Sequence, residues 1–269
     1  MKGKKLAGSR RLVLAFPPAA IPQPAMDSAA QLARSLGASL FGLFVEDSDL
    51  FAAASLPFLR ELDVHLRAWR PLSHQSLVAD YAAIAQALRR QLLQSAAQLG
   101  ISADFAIFRG DPRALVASGT APTDLVARFE PVTNWALHGA GIAFGTVFVP
   151  PNARPQSGPV VVIAREATNR EVQVASEIAE NANIRIVLVD EALEGSGAYW
   201  LERGRAGGPR LASPASLAMN AKHFLQLGLP RASLVVLTRA TLERLEEPLR
   251  SIAAGRPEPW LVLEDRQPE

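Results

Sequence analysis

The run Ser39-Leu-Phe-Gly-Leu-Phe-Val45 constrains this chain more than any other stretch. It is apolar without polar alternation, so both of its faces need cover, and it reads as a strand inside a sheet rather than along a rim. Before it, Met26, Ala29, Ala30, Ala33 and Leu36 recur at helical spacing. They form a narrow face of small side chains suited to lying flat on a sheet. Gly37 stands where a helix end favours positive φ. Arg11 to Phe16 is another short apolar run, ended by Pro17 and Pro18. Strand, helix, buried strand is a parallel crossover unit, with its loops at the carboxyl ends of the strands. Glu46, Asp47, Ser48 and Asp49 close the run in an acidic loop at such an end.

The rest of the first half extends this plan. Phe51 to Gln75, broken by Pro57 and Pro71, places Phe51, Leu56, Phe58, Leu59 and Leu62 on one face of a helical insert (about 51–75) covering the carboxyl-end face of the sheet. Leu77 to Leu99 is a long helix with Tyr81, Leu88 and Leu92 inward and Gly100 as C-cap. Ala103 to Arg109 alternates as a strand, Asp111 and Pro112 open a short helix, and Asp124–Arg128 and Thr146–Val149 are the closing strands. The interval Phe129 to Phe144, interrupted by glycines, admits no assignment. Pro150 to Gly158 has the Pro, Gly and polar content of a linker.

Beyond it the order restarts. Pro159–Ala164 is a buried strand, Asn169–Ala182 a helix, and Ile184–Val189 a strand ended by Asp190 and Glu191. Ser233–Leu237, a helix from Leu242 to Ala253, and Trp260–Leu263 match the end of the first half. Both halves run strand, helix, strand, acid pair, which is a degenerate duplication. Between them, Gly195 to Gly208 reads as loop and Pro214 to Leu227 as a helix. The fold class is α/β, two tandem doubly wound parallel-sheet domains over residues 1–150 and a shortened 159–269.

Composition narrows the function. With 28 Lys and Arg against 26 Asp and Glu, the net charge of +2 does not imply nucleic acid. The absence of cysteine excludes disulfides, thiol catalysis and thiolate metal sites. No segment approaches the roughly 20 apolar residues of a membrane helix. The basic start MKGKKLAGSRR precedes too short an apolar run for a signal peptide, so a cytoplasmic location is expected. The four histidines, His65, His74, His138 and His223, show no metal-ligand spacing. Glu46, Asp47, Asp49 and Asp190, Glu191, Glu194 read as solvated strand ends rather than a cation loop. Arg67, Trp69 and Arg70 lack the basic surround of a single-strand binding surface, which leaves Trp69 as a packing residue. No catalytic constellation emerges.

The ordered phrases ARSLGASLFGLFVED, AQLGISADFAIFRGDPRALV, TDLVARF and VASEIAENANIRIVLVD resemble the universal stress protein family, here as a tandem pair. The resemblance implies a doubly wound fold related to adenine nucleotide α-hydrolases, a stress-response or regulatory role, and two halves packed as an intramolecular pseudo-dimer, with a homodimer also open. Nucleotide-binding members carry an Asp after the first strand and a glycine loop ending in Ser or Thr after the fourth. Such a loop lets backbone N–H groups surround phosphate. This chain has Phe16, Pro17 and Pro18 at the first place. At the second it has Phe129, Glu130 and Pro131, with Gly139, Gly141, Gly145 and Thr146 out of spacing. In the second half Thr238, Arg239 and Thr241 are the candidate ligand residues, with no glycine.

The expected protein is therefore non-catalytic, acting by binding to an unidentified protein partner or a small-molecule ligand. It has degenerate nucleotide sites and no cofactor, metal, nucleic-acid or membrane-inserted partner. The alternative is a sensor binding ATP or a related nucleotide through Arg239 in the one remaining cleft. An α-hydrolase-type enzyme is the reading these residues favour least, because it wants a phosphate loop where Phe16, Pro17 and Pro18 stand.

Overall fold

The structure, a computed structural model, describes residues 10–56, 58–63, 67–132, 144–165, 169–190, 198–203, 209–214, 232–244, 253 and 255–264. Strand β1 (Arg11–Phe16) leads into helix α1 (Gln23–Ser35), and β2 (Ser39–Asp47) follows. Pro22 and Pro24 pre-set the first turn of α1, so the helix starts upstream of Asp27. Gly37 takes φ +62° beyond the helix end. Met26, Ala29, Ala30, Ala33 and Leu36 are all buried. Asp27 instead ties helix to helix: Ser95 Oγ donates to its Oδ1 at 2.7 Å and Gln23 Nε2 donates to the same oxygen at 2.8 Å.

The segment expected as a helical insert is helical only at its start. Helix α2 (Ser48–Ala53) is capped by the Asp47 carboxylate, and a hairpin of β3 (Arg60–Asp63) and β4 (Ala68–Pro71) follows. Pro71 and the alternation Arg60, Leu62 against Glu61, Asp63 suit a strand pair better than a helix. Of the expected covering residues Phe51 is buried, whereas Phe58 is 72% and Leu62 49% exposed. Trp69, expected to pack, is also exposed on β4. The long helix α3 (His74–Leu99) starts at Ser73, whose Oγ accepts from the Ser76 N–H, and ends at Gly100 with φ +67°. Then come β5 (Ala103–Gly110), α4 (Pro112–Gly119), β6 (Leu125–Arg128) and β7 (Gly145–Phe148).

The second half contains β8 (Val160–Ala164), α5 (Arg170–Ala182), β9 (Ile186–Asp190), β10 (Ala198–Arg203), β11 (Pro209–Pro214), β12 (Leu234–Thr238), α6 (Arg239–Arg244) and β13 (Trp260–Leu263). Here the sequence reading misses two strands. The stretch expected as loop holds β10, β11 follows directly after it, and both pair antiparallel, β10 to β9 and β11 to β10. Tyr199, Trp200 and Leu201 have the aromatic and apolar character of a strand. A direct hairpin return from β9 needs no crossover helix. The helix expected after Pro214 lies outside the described residues, as does most of that expected to reach Ala253.

All strands but β3 and β4 join one mixed sheet of 11 strands, in the order β11-β10-β9-β8-β12-β13-β7-β6-β1-β2-β5. β7 and β13 meet antiparallel, Gly145 opposite Leu263 and Phe148 opposite Trp260. Read outward from this seam, the two halves present the same sequence of strands: closing, fourth, first, second. The two doubly wound halves thus share one sheet, parallel on either side of the seam as far as β5 and β9.

Helices α3, α1 and α5 lie side by side over one face, and a single apolar layer runs beneath them from Phe44 and Leu88 through Ala29 to Val162 and Ile178. The other face has two smaller clusters, one with α4 around Leu43 and Val116 and one with α6 around Leu242 and Trp260. Residues 150–158 are irregular, and Ala153 among them is buried in the shared layer. No described helix is long and apolar enough to cross a membrane.

Candidate functional site

Open parallel sheets bind ligands at the carboxyl ends of strands where the winding reverses. This fold has two such points, between β1 and β6 and between β8 and β12.

At the first, aromatic rings meet where a phosphate cradle would need N–H groups. Phe16, the last residue of β1, is 5% exposed. Phe129, just after β6, stacks on it with ring centroids 5.6 Å apart and planes within 9°. Phe105 of β5 packs on Phe16 from the other side at 5.8 Å. Pro17, Pro18 and Pro131 contribute no N–H donor in the flanking loops. Residues 133–143, with Gly139 and Gly141, lie outside the described residues. Gly145 opens β7, and its backbone lies against Val262 and Leu263 of β13.

At the second point, the three candidates of the sequence come together. Thr238 ends β12 and its Oγ1 accepts from the Thr241 N–H at 3.2 Å, capping the first turn of α6. The two threonine hydroxyls lie 3.0 Å apart. Thr241 is 2% exposed, and Arg244 Nη2 donates to its Oγ1 at 3.3 Å. Arg239 is held bidentately by Glu264, Nε to Oε2 at 3.0 Å and Nη2 to Oε1 at 3.1 Å. Their side chains are 16% and 11% exposed, so this pair is shielded from water and geometrically strong.

Sequence reasoning missed Glu264, although the signal was present: an acid directly follows the apolar run Trp260–Leu263, as Glu46 follows Val45. It missed Arg170 and Phe144 as well. Arg170 Nη1 donates to the Glu264 carbonyl at 2.7 Å, and its guanidinium lies 4.2 Å from the centre of the Phe144 ring. The Glu264 N–H donates to the Phe144 carbonyl at 3.3 Å. Phe144 belongs to the first half, so this point is walled by both halves.

The acidic loop after β2 is also accounted for by the chain itself. Glu46 pairs with Arg109 at 2.7 Å, Asp47 caps α2, and Arg109 lies 4.5 Å over the Phe51 ring. Burial, then the charges of Asp47 and Glu46, raise the Tyr81 hydroxyl above its ordinary pKa. Among the described residues no group of three or more acids and histidines is placed to hold a metal. Of the histidines, His74 alone is described, beside Phe51 at the start of α3.

Comparison with known proteins supports the architecture. The chain is similar in structure to a universal stress protein from Archaeoglobus fulgidus DSM 4304, with a TM-score of 0.57 over 95% of this chain and 96% of that one. Sequence identity is 11%, so the likeness concerns the fold. No protein-family model matches the chain, and no curated relative matches its sequence.

Proposed function

We propose that this chain is a non-catalytic binding protein of the stress-response, regulatory type, in which residues 1–150 and 159–269 are diverged copies fused as a pseudo-dimer and both nucleotide positions have closed. The observation that carries this reading is the occupancy of the two switch points by the chain's own groups. Phe129 lies on Phe16 in the first half, and Glu264 neutralises Arg239 in the second. A micromolar nucleotide complex needs about 8 kcal/mol of binding free energy. For a triphosphate, much of that comes from backbone N–H groups and a cation free to meet it. Among the described residues neither point offers the glycine loop, and Arg239 would have to leave Glu264 first.

A second reading keeps a foothold in the second half. Arg239 meets the Glu264 carboxylate, Arg170 the Glu264 backbone carbonyl and Arg244 the Thr241 hydroxyl, so three guanidiniums gather at this point. A nucleotide sensor would turn them to an anionic ligand. Calorimetric titration of the whole chain with Mg-ATP separates the two. The proposal expects no binding in the micromolar range. A dissociation constant near ~1 μM, lost on Arg239→Ala, would establish the sensor instead.

A further inference from the structure

Strand β5 ends the sheet. On its inner side it pairs with β2 without a register shift, from Ala103 opposite Leu40 to Gly110 opposite Asp47. On its outer side no strand lies among the described residues. Sheets protect such an edge with lysine, proline, a bulge or a covering element. The strand reads ADFAIFRG, with no lysine, no proline and an unbroken register. The opposite edge, β11, begins and ends with Pro209 and Pro214 and is guarded in that sense.

Two side chains indicate what covers β5. Ile107 and Phe108 are 51% and 44% exposed, and as strand neighbours they point to opposite faces. Ile107 lies level with Phe44 on the α3 side, and Phe108 level with Val45 on the α4 side. A helix docked on either face would cover one of them. A strand continuing the sheet covers both, and satisfies the outward backbone groups at the same time.

We propose that β5 pairs antiparallel with β5 of a second copy of this chain, about a two-fold axis at Ile107. That register sets Ile107 opposite Ile107, Ala106 opposite Phe108, Phe105 opposite Arg109 and Asp104 opposite Gly110. The charges fit it. Asp104 and Arg109, the strand's two charged residues, face Gly110 and Phe105 in this register, so neither meets its own copy or a like charge. The Arg109 guanidinium, already over Phe51, faces the Phe105 ring of the second copy. Pairing of β5 with β11 of another copy would instead build an open chain, against two prolines, whereas self-pairing closes. This inference rests on the sheet edge and is independent of the nucleotide question.

Analytical ultracentrifugation of the full chain tests it, with Ile107→Lys and Ile107→Glu prepared separately. The wild type is expected at two-chain mass in the micromolar range. Each variant alone is expected at single-chain mass, a weakening of at least about 100-fold, because like charge then faces like charge in a desolvated ladder. Mixing the two variants is expected to restore two-chain mass, since lysine then faces glutamate. Phe58→Ser, just before the hairpin, serves as a control and should leave the mass of the wild type unchanged. A wild type at single-chain mass, or two-chain mass surviving in either variant alone, overturns the pairing. A mixture that stays at single-chain mass overturns the two-fold at Ile107. Slower amide exchange across 103–110 at high than at low wild-type concentration is the matching signature, and its absence counts against the interface.

Discussion

Gly42 sits in β2 where α3 comes down on the sheet, and replacing it with alanine tests how tightly the first switch point is filled. A Cβ at this position would stand 2.6 Å from Phe105 Cδ2, 2.7 Å from Leu92 Cδ2 and 2.8 Å from Phe16 Cε2. Carbon atoms rest at about 3.5–4.0 Å, so each neighbour must withdraw by roughly 1 Å. Leu92 is fully buried, and Phe16 is held on its far side by Phe129. Phe105, partly buried on the edge strand, has the most room. Overpacking of this kind costs about 1–3 kcal/mol. Alanine returns about 0.5–1 kcal/mol by restricting the unfolded chain. The expected net loss for Gly42→Ala is therefore about 1–2 kcal/mol, read as a lower urea midpoint at unchanged slope. Shortening the neighbour with room, Phe105→Leu, should recover part of that loss in the Gly42→Ala background and so reveal coupling between the two sites. Stability equal to or above wild type in Gly42→Ala, or strict additivity with Phe105→Leu, would refute the crowding argument.

Glu264→Ala removes the bidentate carboxylate from the poorly hydrated Arg239 guanidinium, and should cost about 3 kcal/mol in urea denaturation. Replacing both partners, Arg239→Met with Glu264→Leu, should recover most of that loss; equal losses would show that the pair itself contributes little. Tyr81 titrates higher in the folded chain than the ordinary value of about 10, chiefly through burial. Its contribution is complete below that value and is lost as pH rises through the raised one. Stability should therefore fall as pH rises above about 10, and Tyr81→Phe should flatten that fall in denaturation curves taken at pH 8.5 and 10.5.

What the sequence revealed about the fold came from burial. A strand covered on both faces, such as Leu40–Val45, must be apolar at nearly every position. A helix lying on a sheet, such as α1, must place small residues at helical spacing. Those demands write themselves into the chain and made β1, α1, β2, β8, α5 and β9 readable within a few residues. The hairpin β3–β4 was lost because its apolar side chains Leu62 and Trp69, and Phe58 just before it, are exposed, so their pattern is not tied to a core. Strand β10 was lost because Gly195 to Gly208 carries turn residues that mask a short aromatic strand between them. At the sites, Arg239, Thr238 and Thr241 were legible as local neighbours in sequence. Glu264 reaches Arg239 from the neighbouring strand, 25 positions on, and Phe144 reaches Glu264 across the seam; no local pattern announces contacts of that kind.

That seam also decides where residues 10 and 264 lie relative to one another. Because β7 and β13 run in opposite directions, the level at which β1 starts is also the level at which β13 stops. Arg10 and Glu264 accordingly meet the same residue, Arg10 with its guanidinium 5.0 Å from the Phe144 ring and Glu264 through the Phe144 carbonyl. The path from residue 10 to residue 264 is nearly a closed circuit, with the linker at 150–158 as its other crossing between the halves. A circular permutant that joins residues near 10 and 264 and reopens between Pro155 and Gln156 would keep every strand of the sheet while reversing the order in which the halves are synthesised.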